Sequence, residues 1–62
     1  MRAARAIKAR IADGTYAPGD RLHIGLIAEE IGVYRAAVSR ALAELGKQGI
    51  VTRYPGHGWF VA

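Results

Sequence analysis

Arg35, Ser39, Arg40 and Lys47, with Ala36 and Ala43 among them, form the run in this chain whose residue types and spacing can do chemistry. On a helix of 3.6 residues per turn, Ala36, Ser39, Arg40, Ala43 and Lys47 share the face opposite Val38, Ala41, Leu42 and Leu45, and Arg35 projects from the first turn. Cationic and hydroxyl donors separated by small residues allow close approach to a polyanion, and such a face suits the major groove of DNA. Ser39 is the only serine, Gln48 the only side-chain amide, and asparagine is absent. Amide recognition of adenine is therefore nearly closed. Base reading falls to arginine on guanine, the Ser39 hydroxyl, or small apolar contacts with a thymine methyl.

Other chemistry is poorly served. The single serine has no histidine at suitable local spacing, and no glycine loop is built to cradle a phosphate. His23 and His57 are far apart, lack Asp or Glu at ligand spacing, and have no cysteine to join them, so neither a metal nor another cofactor is expected. The expectation is that the chain is not an enzyme.

Sixty-two residues make one domain, 1–62, and a chain this short buries only about 60% of its unfolded surface. Nine Lys and Arg against five Asp and Glu give a formal net charge of +4, which in so small a domain favours a polyanionic partner. Without cysteine the core must hold by packing alone, which fits a reducing cytosol. The apolar stretches are far short of a membrane span, and arginines run through the N-terminal segment where a signal peptide would be continuously apolar. The expectation is a soluble, cytoplasmic protein with no membrane partner.

The elements that must position the basic face follow from periodicity. Residues 2–12 read as a first helix with Ala4, Ile7 and Ile11 inward, stopped by Asp13-Gly14. Pro18-Gly19 predicts a tight turn with positive φ at the glycine, followed by Leu22 as an anchor. Ile24, Ile27, Ala28 and Ile31 predict a second helix over about 24–31, in which Gly25 costs up to about 1 kcal/mol relative to Ala. His23 is a poor N-cap there. Gly32 ends that helix and, after a short turn, a third runs over about 35–47. Residues 50–61 read as a hairpin with a Pro55-Gly56-His57-Gly58 tip, in which Trp59 and Phe60 face opposite sides. Phe60, Ile50 and Leu45 are expected in the core, leaving Trp59 either partly exposed or covered by a partner. The fold class is mainly α with a small β-hairpin, a three-helix winged helix-turn-helix.

With these elements in order the chain resembles the GntR family of bacterial transcription regulators, in its N-terminal DNA-binding domain. The resemblance covers nearly all residues. It is carried by Ile11-Ala12-Asp13-Gly14-Thr15-Tyr16-Ala17-Pro18-Gly19-Asp20-Arg21-Leu22, by Ala28-Glu29-Glu30-Ile31-Gly32-Val33, by Arg35, Val38, Ala41-Leu42 and Leu45, and by Gly49-Ile50-Val51 and Gly58 before Phe60-Val61. The distance from Leu22 to Gly32 is one residue shorter than in members carrying a Pro-Ser-Glu-Arg segment. Three departures stand out. Tyr34 replaces the usual capping serine, Ser39-Arg40 replaces a common Arg-Glu pair, and Gly56-His57-Gly58-Trp59 replaces a wing of Gly, basic, Gly and Thr.

The resemblance implies sequence-specific binding of double-stranded DNA, as a repressor, with the third helix in the major groove and the wing beside the backbone or minor groove. Arg35 carries over directly as a reader of guanine or a phosphate clamp. Arg40, Lys47 and Arg53 are candidates for phosphate. Ser39 is a candidate contact, and Ala36 and Ala37 act by permitting approach, with Ala37 either on that face or turned inward. Tyr34 either reaches DNA or packs its ring beside Val33. At the tip, His57 either reaches DNA or is solvated, and Gly58 supplies backbone geometry. The implied partner is a palindromic operator bound by two copies pairing on DNA. Family members generally carry a C-terminal effector-binding and dimerising domain, which is absent from these residues, as expected of an excised domain or a freestanding minimal protein. The other reading of the fold is a protein-docking or oligomerisation module, because a winged helix does not by itself fix function.

Overall fold

The computed structural model describes residues 2–62. Three helices, α1 (Arg2–Ala12), α2 (Ile24–Ile31) and α3 (Arg35–Lys47), are combined with three strands, β1 (Arg21–Leu22), β2 (Val51–Tyr54) and β3 (Gly58–Val61). The alanine-rich α1 buries Ala3, Ala4 and Ile7. Its small side chains let it lie close against α3, which also touches α2 and β2 and so forms the centre of the packing. After α1, the Asp13 carboxylate accepts from the Thr15 N–H at 2.9 Å and the Thr15 hydroxyl at 2.6 Å. Those two bonds, the hydroxyl first, hold the Asp13 carboxyl below the usual carboxylate range.

Ala17 to Asp20 form a type II turn. The Asp20 N–H donates to the Ala17 carbonyl at 3.0 Å, and Gly19 takes the positive φ of 87° that the third position needs. The turn delivers Arg21 and Leu22 into the sheet, where they pair antiparallel with Phe60 and Trp59. The sheet is therefore three-stranded, in the order β1-β3-β2, and not the bare hairpin that the sequence pattern predicts. Two residues are too short a run to show alternation, which is why β1 escapes a pattern reading.

The register decides the two sheet faces. Leu22, Val51, Trp59 and Val61 point to the helices, whereas Arg21, Thr52, Tyr54 and Phe60 lie on the outer face. Phe60 is thus not a core residue as expected: it lies only half-buried, edge to face with Tyr54, with ring centroids 5.5 Å apart. Trp59, on the other side, packs against the core. Val61 is the reason. It is buried next to Val51, and a period of two then turns Trp59 inward and Phe60 outward.

The helical stripes close the rest. Ile7, Ile27, Val38, Leu42, Leu45 and Val51 are the largest fully buried side chains, and no polar or charged side chain is buried among the described residues. At the end of α3 the Ile50 N–H donates to the Leu45 carbonyl and the Gly49 N–H to the Gly46 carbonyl, a Schellman closure made possible by Gly49 at φ 77°. Outside the core, the Tyr16 hydroxyl donates to Glu30 Oε1 at 2.8 Å with Arg10 beside both, tying α1 and the following loop to α2. Burial first, and the Glu30 carboxylate second, raise the Tyr16 phenol above its ordinary value.

Candidate nucleic-acid interface

The face of α3 that the core leaves free is a straight stripe. Ala36, Arg40, Ala43 and Lys47 follow one another at intervals of four, three and four residues, and all are exposed. Ser39 is also exposed, one position round the helix, on a line with Arg35. Ala37 turns toward the α2 side and is partly buried. The one acidic residue of the helix, Glu44, stands one turn on from Arg40 and flanks the stripe on its α1 side, where it shares a shallow hollow with Arg5, Lys8 and Gln48. The stripe itself presents only small and cationic side chains.

The sheet adds a second wall. Arg53 sits opposite Trp59 in the ladder and shares an open concavity with Lys47, Ala43 and Gly46 of α3. Two cations twelve and eighteen positions from Arg35 are brought to the far end of the helix, about 18 Å from Arg35 at 1.5 Å per residue. The wing turns at its tip through Tyr54 to His57, with the His57 N–H donating to the Tyr54 carbonyl at 2.8 Å. His57 is exposed there, and Gly58 opens β3 at φ 102° with the Arg21 guanidinium alongside. The tip is thus distinct from the Lys47 and Arg53 concavity, and His57 has no contact in it.

At the other end of α3, Tyr34 holds the N-cap position with extended backbone, φ −75° and ψ 153°, and makes no side-chain cap bond. Its ring is 88% exposed beside Val33 and Ala37, so little of it is packed. His23 likewise makes no side-chain bond at the start of α2.

The reading of the sequence gives no part in this surface to Gly25, which it treats only as a cost to helix propensity, to Trp59, which it leaves partly exposed or covered by a partner, or to Gly46. Six of the eight glycines have positive φ and are accounted for by backbone geometry. Gly25 and Gly46 are the remaining two. A Cβ on Gly46 would meet Trp59 ring carbons at 3.0 and 3.2 Å, so the indole packs directly against the helix there and lines the concavity with Lys47 and Arg53. A Cβ on Gly25 would stand 2.8 Å from Nη2 of Arg35. The signal available in the sequence was a glycine inside each helix, where propensity disfavours it.

Residues 1–61 match the family described as bacterial regulatory proteins, gntR family. The chain belongs to the GntR family. Comparison with individually curated proteins gives no match. As a GntR helix-turn-helix domain the chain is a DNA-binding transcription regulator domain, a regulatory and not a catalytic unit, and its partner is double-stranded DNA. The three helices and small sheet are the winged helix-turn-helix of that family. No helix of the described residues is long and apolar enough to cross a membrane, and no cluster of three metal-binding side chains occurs among them.

Proposed function

We propose that this GntR domain recognises a specific sequence in double-stranded DNA and acts as a repressor, by occupying a palindromic operator with two copies. The observation that carries the reading is the unbroken exposed stripe Ala36, Arg40, Ala43 and Lys47, free of acid and continued across a concavity by Arg53. A helix with small residues along its outward line can enter the major groove to the depth of its backbone. In this reading Arg35 and Ser39 meet base edges, Arg40, Lys47 and Arg53 hold phosphates, and Ala36 and Ala37 leave room. Tyr34 contacts the duplex at the helix entrance, and His57 and Gly58 ride beside the backbone or minor groove. Repression follows from occupancy, because a bound pair blocks access to the promoter it covers.

Selection of bound sequences from a random DNA pool tests this directly, and enrichment of an inverted repeat is the expected result. Arg35→Ala should then cost roughly 1 to 3 kcal/mol and flatten preference at one base pair, while Lys47→Ala should weaken all sequences alike and lower the salt slope by about 1. A pool that returns no enriched sequence, with salt-sensitive binding to any duplex, would leave only non-specific attraction.

A further inference from the structure

We infer that Gly25 is a specificity-determining positioning residue, which directs the Arg35 guanidinium by giving it a flat seat on the first turn of α2. The inference rests on the proposed base-reading role of Arg35. A Cβ on Gly25 would lie 2.8 Å from Nη2, 3.1 Å from Cζ and 3.3 Å from Nε of Arg35, so the guanidinium plane comes down on the space a side chain would fill. Gly25 does not need to be glycine for its backbone: its φ is not positive and it lies within α2. The helix would be better served by alanine. Electrostatics do not explain the contact either. A cation beside the amino end of a helix is disfavoured by the helix dipole, and Arg35 has no acidic partner within ion-pair distance among the described residues.

What the contact supplies is direction. Arg35 is the first residue of α3 and its side chain has four rotatable bonds, whose ordering on binding is otherwise charged against affinity. The donors of a guanidinium are coplanar by resonance, and laying it along α2 restricts the orientation of that plane, which a bidentate approach to a guanine edge requires. Gly25 touches no base in this scheme. It acts through Arg35, and because the obstructing atoms are the far end of a flexible side chain, a methyl group there displaces the arginine without disturbing the core.

The test is a double-variant cycle on the whole chain, using the selected operator and its single-base variants. Gly25→Ala should raise the midpoint of thermal unfolding by roughly 2 to 8 °C, from helix propensity alone. It should also reduce discrimination at the base pair read by Arg35 by roughly three- to tenfold, with preference elsewhere unchanged. In an Arg35→Ala background the same change should have no further effect on binding. Unaltered discrimination in Gly25→Ala, alongside flattening in Arg35→Ala, overturns the inference and leaves the base-reading role standing. An equal loss for every sequence in both backgrounds also overturns it, since that is a methyl group striking the DNA itself. If Arg35→Ala flattens no position, the base-reading role fails and the inference fails with it.

Discussion

Tyr34 is the residue at which the fold and the surface make opposite demands. The extended backbone at the start of α3 is the geometry of an N-cap, yet the phenol has no oxygen that can turn back to the first free N–H groups. An 88% exposed ring also brings little packing energy. Tyr34→Ser should therefore stabilise the domain by roughly 0.5 to 1 kcal/mol and weaken DNA binding, as seen in paired thermal unfolding and titration. A less stable variant with unchanged affinity would show the ring to be a packing group. Arg40 and Ser39 are legible in the sequence as outward residues because a 3.6 period places them opposite Val38, Ala41 and Leu42, which are all fully buried. The seat of Arg35 is not legible in this way, because it depends on a residue ten positions earlier on another helix.

Among the elements, the wing packs on the core through Val51 and Val61, and one aromatic side chain carries it onto α3. Trp59 lies on Gly46 and lines the concavity between Lys47 and Arg53, while Phe60 touches Tyr54 on the outer face. Trp59→Ala should cost about 2 to 4 kcal/mol, somewhat less than a fully buried tryptophan. Phe60→Ala should cost about 1 kcal/mol, mostly its edge-to-face contact. Chemical denaturation measures both, and equal losses would contradict the register that turns Trp59 inward. In a Trp59 variant that still folds, DNA affinity should fall further than in Phe60→Ala, since Arg53 then loses the wall that fixes its strand. The alternation of Trp59 and Phe60 is plain in the sequence, but which of them faces inward is not. That choice follows from Val61, buried beside Val51, and the pairing of β1 to β3 agrees with it by setting Leu22 opposite Trp59 on the core side.

For the molecule as a whole, size sets how two copies can meet on DNA. The Cα trace spans 26 × 24 × 19 Å, and equivalent recognition helices on a palindrome lie about 34 to 36 Å apart, so neighbouring copies would touch only at their edges. The exposed large apolar side chains, Leu26, Tyr34 and Tyr54, are spread over α2, the start of α3 and the wing, with no continuous seam. The free chain should accordingly sediment as a monomer at micromolar concentration and bind paired half-sites more tightly than one. A stable DNA-free dimer, or equal affinity for one and two half-sites, would contradict this. The sequence by itself determined the helical stripes, the turns at Gly19 and Gly32, and a fold in which α3 presents a basic face. Each of these is local, set by a period or by the φ that a glycine permits. Only the tertiary structure decided the third strand, the inward turn of Trp59, the meeting of Lys47 with Arg53, and the rest of Arg35 on Gly25. These are contacts between separate elements, and their spacing depends on how the core closes, which no periodicity along one element records.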